Sequence, residues 1–396
     1  MKRWLSLLLV LFVLGSVVLA GCSRSTGNKA STLAPATQSA TAQPNPNAGD
    51  FTMLQAGKVD LGPYYAQYGV KCTSTITSMG GSVSVSGLPT TLPKAAKRYK
   101  IGLALYTTVD EVGSMVLEGT KKAAAQAGVD LLVNDCNYNQ DAQNAAVEQW
   151  ITEGVDGVIL YPADFTACGS ILEKLKAANI PVIGGNPSLA GTVNSVIMID
   201  NVQCGQRSAQ ALMDAVVAKD GPDPKGTVVY QTLPFVHPNA ATREAGFMQV
   251  MKQYPDVKLL KLTGISATDH YTALEGALQA HPDIIAGWAV YDSALIGMVN
   301  ARNAAKKSNV LLAGIDDDRM ILAGISKGDI VCSDGYNAYN LAYWSIDQIV
   351  NLLNGVEIPG MITVPNVLIN KDNVSDIFKQ FYGGRTLEDY LAGKRS

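Results

Sequence analysis

The stretch from Gly154 to Asn186, GVDGVILYPADFTACGSILEKLKAANIPVIGGN, constrains this chain more than any other. Its apolar run, Gly157 to Tyr161, is short and β-branched, as a buried strand should be. Pro162 stops the run, and Asp164 is placed to cap a helix from about Phe165 to Ala178. Ile171, Leu172 and Leu175 give that helix one apolar stripe. Asn179-Ile180-Pro181 breaks it, and a second strand through Val182 and Ile183 ends at Gly184-Gly185-Asn186. A strand, a crossover helix and a parallel strand make one βαβ unit. Small molecules bind at the carboxyl ends of such strands, which here carry Tyr161, Asp164 and Asn186.

The same alternation runs on from Tyr99. Strand-like runs fall at 100–105, 130–134, 157–161, 181–184, 195–199, 227–231, 257–262, 283–289, 310–314 and 330–332. Helical patterns fill 112–127, 140–153, 165–178, 201–219, 240–253, 268–280, 292–305, 319–326 and 336–353. This alternation predicts parallel sheets with helices on both faces. About ten strands exceed a usual single sheet of this kind, so two sheets of five or six strands are expected. Residues 51–98 read as an irregular extension on the outside of the main domain. Asp164 and Asp292 precede helices and read as caps, and Trp288 in its apolar strand reads as core. His270 and His281 read as surface residues.

The first fifty residues form no part of that core. Lys2 and Arg3 precede an apolar stretch from Leu5 to Ala20, which ends in Leu19-Ala20-Gly21-Cys22. That ending resembles the bacterial lipobox, in which the cysteine is lipidated and becomes the mature N-terminus. Residues 1–21 are then a signal peptide, and 22–50 is a flexible tether of Ser, Thr, Ala, Pro, Asn and Gln. Cys72, Cys136, Cys168, Cys204 and Cys332 cannot all pair, which leaves one or two disulfides or buried thiols open. No spacing among them suggests a metal, and no cofactor is expected. With 31 basic and 34 acidic residues, the chain lacks the basic footprint of a nucleic-acid binder.

The regular part, roughly residues 99 to 380, resembles the type I periplasmic binding proteins of the ribose/galactose class, the substrate-binding components of sugar ABC importers. The resemblance rests on IGLALYTTVDEVGSMVLEGTKKAAAQAG, on EGVDGVILYPAD and on ANIPVIGGN. Further along it rests on Ile199-Asp200-Asn201, Arg243 to Phe247, Tyr291-Asp292 and Gly314-Ile315-Asp316. It implies an α/β fold of two doubly wound parallel-sheet lobes joined by a three-segment hinge. The crossings are expected near Met198–Asn201, Cys332–Gly335 and Ile362–Pro365, with Asp200 holding the hinge. Lobe one is then 99–199 plus 335–362, and lobe two 200–334 plus 363–390.

The resemblance also implies the site. Ligand-facing positions fall at Tyr106 and Asp110, at Asn186, near His237, Asn239 and Ala241, and at Ile265, Tyr291 and Asp316. Asp334 stands at the hinge and counts with them as a third ligand-facing carboxylate. Of the run Asp316-Asp317-Asp318, one residue faces the cleft, Asp316 by choice, and the others cap the next helix. The chain also departs from the ribose pattern. Val112 and Gly113 stand where aromatics sandwich the sugar, and Pro187 and Ala241 stand where two arginines bind it. Tyr106, Tyr291 and Phe235 are candidates to replace the aromatic faces, and Arg243 matches an arginine that is normally structural. Carboxylates without a cation disfavour anionic ligands and suit neutral sugars and polyols, or an amine-bearing or nucleoside-like solute. Asp316→Ala is expected to weaken binding with little change in stability.

No Gly-x-Gly-x-x-Gly joins a strand to a helix, neither a P-loop nor a Gly-x-Ser-x-Gly motif occurs, and three histidines leave little for acid–base work. An enzyme is therefore not expected. The expected partners are a small-molecule ligand, an ABC permease and the membrane, through lipid on Cys22, with the protein a monomer. A lipoprotein that presents its ligand to a chemoreceptor or sensor kinase stays open beside import.

Overall fold

The computed structural model describes residues 82–84, 88–89, 91–164, 167–185, 189, 192–234, 237–382 and 384–394. Cys22 and the tether, Cys72, Asn186 and Phe235 lie outside the described residues.

Short apolar runs separated by amphipathic helices fold here into two sheets. The first comprises β1 (Ser82–Ser84), β2 (Lys100–Leu105), β3 (Asp130–Asp135), β4 (Gly157–Leu160), β5 (Val182–Gly184), β6 (Ser195–Ile199) and β12 (Met361–Val364). Their order is β1-β12-β6-β5-β4-β2-β3, and every pairing is parallel. The second comprises β7 (Gly226–Thr232), β8 (Val257–Thr263), β9 (Ile284–Ala289), β10 (Leu311–Ile315), β11 (Cys332–Gly335) and β13 (Val367–Asn370). Its order is β13-β11-β10-β9-β7-β8, parallel except where β13 runs against β11. Central strands such as β2 and β4 are buried on both faces, which is why they read as continuous apolar runs. Among the described residues the 51–98 segment adds one edge strand, β1, alongside β12.

The chain passes between the sheets three times. It leaves β6 at Ile199 and enters α4 (Asn201–Asp220), which packs on β9, β10, β11 and β13. It leaves β11 at Gly335 and enters α9 (Ala338–Leu353), which packs on β4, β5, β6 and β12. It crosses last from β12 to β13 through Pro365 and Asn366. The remaining helices of the first lobe are α1 (Glu111–Ala127), α2 (Gln140–Thr152) and α3 (Gly169–Ala177). Those of the second are α5 (Pro238–Met251), α6 (Ala267–Ala280), α7 (Asp292–Ala304), α8 (Arg319–Lys327), α10 (Val374–Phe381) and α11 (Leu387–Leu391).

Some local expectations need correction. Helix α3 begins at Gly169, with Cys168 at its N-cap and no side-chain cap bond, so Asp164 does not cap it. Asp164 instead forms a turn that accepts the Ala167 amide, and its own amide donates to Gln140 Oε1. Strands β12 and β13 escape the periodicity because each has only four residues, and their pairing is with strands far away in sequence. Cys136, Cys168, Cys204 and Cys332 are buried thiols. Trp288 is core: it is fully buried, stacks on Phe247 at 4.6 Å and donates to Ser208 Oγ at 2.9 Å.

Helices α4 and α5 come together at paired glycines. A Cβ on Gly205 would lie 2.0 Å from the Arg243 carbonyl oxygen, and one on Gly246 2.1 Å from that of Val202. Backbone cannot yield as a side-chain tip can, so overpacking here forces the helices apart. Gly205→Ala is expected to lower stability by about 2–3 kcal/mol in urea denaturation. Wild-type stability in that variant would show that the helices separate freely.

Candidate functional site

The carboxyl ends of the strands in both sheets converge on one cavity of about 740 Å³. Tyr106 follows β2, Tyr161 follows β4 and Gly185 follows β5 on one side. Ile265 follows β8, Tyr291 follows β9 and Asp316 follows β10 on the other. The βαβ rule puts ligands here, because the connections leaving these ends carry side chains that the sheets do not need.

On the first-lobe side, Asp110 is the N-cap of α1. Its Oδ1 accepts from the Gly113 amide at 2.6 Å and from the Tyr106 hydroxyl at 2.9 Å, and its Oδ2 accepts from the Tyr138 hydroxyl at 2.9 Å. Burial raises its pKa, and these three bonds pull it back. Burial likewise pushes the Tyr106 hydroxyl up, with Asp110 adding to it, so Tyr106 stays a donor.

On the second-lobe side, Asp316 occupies left-handed backbone, φ 82°, strained for a non-glycine residue. It is buried and pairs with the Arg243 guanidinium at 3.2 Å. Arg243 also donates to Asn201 Oδ1 at 2.9 Å and to the Val290 carbonyl at 3.0 Å. Asn239 lines the cavity beside them and accepts from Asn201 Nδ2 at 3.4 Å. His237, at the N-cap of α5, is half-buried, and burial followed by Arg243 lowers it to about 4, so it is neutral near pH 7.

The cavity therefore gathers Tyr106, Asp110, His237, Asn239, Tyr291 and Asp316 from the expected set. Asp334 does not line it. This carboxylate is fully buried, takes two bonds from Arg207 at 2.8 and 2.9 Å, and accepts from Asn366 Nδ2 at 2.7 Å. Its oxygens are committed to holding the crossings together. Nor is the cavity without a cation, because Arg243 lines it, although Asp316 neutralises that charge. The other two aspartates of the run are committed as well. Asp318 caps α8, and Asp317 accepts the Tyr336 and Asn337 amides at the second crossing.

Asp292 and His270 also differ from expectation. Tyr291 is the N-cap of α7, so Asp292 stands in the first turn and lines the cavity. Burial, then the Asp316 carboxylate, push it up to about 7. His270 is buried, not on the surface; it bonds to Gln231 through Nδ1 and to the Tyr291 hydroxyl through Nε2 at 2.7 Å. The second-lobe tyrosine is thereby held rigid. Tyr138 was not singled out from sequence, because it lies in a short β3–α2 turn whose direction no periodicity reveals.

A second meeting of the lobes lies outside the cavity. Glu111, in the first turn of α1, pairs with Arg319 Nε in the first turn of α8 at 2.6 Å. Asp318 beside it is pushed up to about 7, by burial first and then by its bond to Glu111.

A family model described as a periplasmic binding protein domain matches residues 101–357. The ribose import binding protein of Bacillus subtilis is 26% identical over 272 residues, covering 68% of this chain and 86% of that protein. The D-xylose-binding periplasmic protein of Escherichia coli is 26% identical over 316 residues, covering 74% and 94%. A solved ABC transporter solute binding protein from Bacillus halodurans with bound myo-inositol has a TM-score of 0.65. It is 21% identical and covers 71% of this chain and 98% of its own, a likeness of fold.

Two outcomes follow from the buried charges. Asp316→Ala leaves the Arg243 guanidinium unpaired, so the expectation of unchanged stability does not hold. The loss should be about 3–5 kcal/mol in urea denaturation, and Arg243→Met in the same chain should recover much of it. Asp292 has a folded-state pKa above its ordinary value. The stability its proton supplies is full below about pH 4 and is lost as pH rises through about 7. Asp292→Asn keeps a neutral group there at every pH. It should melt about 2–4 °C above the wild type at pH 8, the gap narrowing steadily towards pH 4. A gap of constant size would exclude Asp292 as the titrating group.

Proposed function

Because the chain belongs to the type I periplasmic binding proteins, a family of solute-binding transport proteins and not of enzymes, we propose that it captures a monosaccharide or polyol between its two lobes and delivers it to an ABC permease. The observation that carries this reading is the lining of the cavity. Asp110 faces it from one lobe and Asp316 from the other, with tyrosines beside each, and the Arg243 charge is already answered. Carboxylates accept hydroxyl hydrogen bonds in pairs, and charge-assisted bonds of that kind contribute about 1.5–3 kcal/mol each. An anionic solute would meet Asp110 and Asp292 without a free cation among the described lining residues. The similar proteins, by their names, bind ribose and xylose, and one solved relative holds myo-inositol.

A ligand that bridges both lobes binds the shut cleft better than the open one, and so draws the population towards it. Lobe one is taken as 99–199 plus 335–362 and lobe two as 200–334 plus 363–390, with the three crossings absorbing the motion. Export by the N-terminal segment and lipidation of Cys22 would keep this monomeric binder beside its permease.

The test is a thermal-shift screen with pentoses, hexoses, linear and cyclic polyols, nucleosides and small amines. A ligand at a hundred times its Kd stabilises the folded state by about 2.7 kcal/mol. A sugar or polyol is expected to raise the melting temperature; a rise with nucleosides or amines alone would overturn the ligand class. Asp110→Asn keeps a competent helix cap but removes a charged acceptor. It should weaken binding about tenfold or more and leave the unliganded melting temperature nearly unchanged.

A further inference from the structure

The mouth of the cavity carries an aromatic ring whose place no other feature of the fold requires. Asn137 and Tyr138, just beyond β3, both adopt left-handed backbone, φ 48° and 61°. The Tyr138 amide donates to the Tyr106 carbonyl at 2.7 Å, which fixes this turn against the end of β2. Its side chain is 60% exposed, yet it lines the cavity and packs 5.6 Å from the Tyr106 ring at 51°.

The hydroxyl is committed in a telling way. An ionised carboxylate offers about four acceptor sites. On Asp110 one is taken by the Gly113 amide, one by the Tyr106 hydroxyl and one by the Tyr138 hydroxyl. The first belongs to the helix cap, and the second comes from a tyrosine packed against the core. Tyr138 alone of the three donors stands on an exposed side chain, so its hydroxyl can return to water without leaving a buried group unpaired. Across the cleft the Tyr291 ring is fixed, its hydroxyl bonded to His270 Nε2 at 2.7 Å and to the Ile265 carbonyl at 3.1 Å. One jaw is rigid and the other can yield.

We propose that Tyr138 determines specificity in this cleft: its ring is the first-lobe aromatic jaw facing Tyr291, and its hydroxyl occupies Asp110 until a ligand hydroxyl displaces it. This rests on the hydroxyl-rich ligand class proposed above. A cyclic sugar presents a flat C–H face to such a ring, whereas a linear polyol has no fixed face to offer.

The experiment is calorimetric titration of wild type, Tyr138→Phe and Tyr138→Ala with D-ribose and ribitol, D-xylose and xylitol, and D-allose and allitol. For the cyclic member of a pair that binds, Tyr138→Ala should lose about tenfold, and for its linear partner less than about threefold. Tyr138→Phe keeps the ring and frees Asp110, so it should bind several-fold tighter than wild type. Equal loss for cyclic and linear ligands in Tyr138→Ala would overturn the proposal, as would weaker or unchanged binding by Tyr138→Phe. The Phe variant decides alone should the Ala variant fail to fold. Wild type that binds none of the six would overturn the role given to Tyr138, whereas the ligand class itself falls only if the thermal-shift screen finds no sugar or polyol.

Discussion

The base of the cleft depends on where the Arg243 guanidinium finds its partners. A buried cation is costly unless it is paired and hydrogen-bonded. Arg243 meets that demand with Asn201 at the first crossing, the carbonyl of Val290 after β9, and Asp316 after β10. One side chain thus ties together three segments that reach the cleft from different directions. Asp316 answers Arg243, and beside it Asp292 carries a raised pKa, from burial first and from the Asp316 carboxylate second. Close approach of α4 and α5 through Gly205 and Gly246 brings Arg243 to this position, so helix packing and cleft chemistry are one constraint.

The crossings obey similar logic. Asp334 on β11 holds Arg207 of α4 and Asn366 of the third crossing, joining residues next to all three passages. Asp317 accepts two backbone amides where the chain turns into α9. Neither carboxylate is among the lining residues of the cavity. They tie the three crossings together at fixed points, where a hinge motion of the lobes would turn.

Much of this was legible in the sequence because apolar periodicity and strand-end logic are local. The run from Gly157 to Tyr161 and the helices that alternate with the strands follow from near neighbours, whereas the positions after β2, β9 and β10 were implied by the family resemblance and Asp110 was not read as the cap of α1. What was not legible depends on partners remote in the chain. Asp334 looks like a ligand carboxylate until Arg207, 127 residues away, is seen to occupy it. His270 shares the buried stripe of its helix with Leu274, Ala277 and Leu278, but only contact with Gln231 and Tyr291 explains a polar ring there. Arg243 read as structural, correctly as to its bonds, but its place in the cavity wall needed the fold. Tyr138 depends on two left-handed residues, which the sequence Asn-Tyr does not demand.

The contact of Glu111 with Arg319 and Asp318 has a bearing on selectivity. It joins the lobes through groups that no solute in the cavity needs to touch. Whatever free energy it contributes to shutting the cleft is granted to every solute alike. Affinity for good and poor ligands rises by one common factor, because the fraction of shut protein multiplies each intrinsic constant. Ratios between ligands are untouched. Such a contact would set the concentration range over which a ligand is bound and leave the preference between ligands to the cavity lining. The two properties can then drift apart in evolution: the lip can be retuned for scarcity or plenty without relearning which molecule to hold.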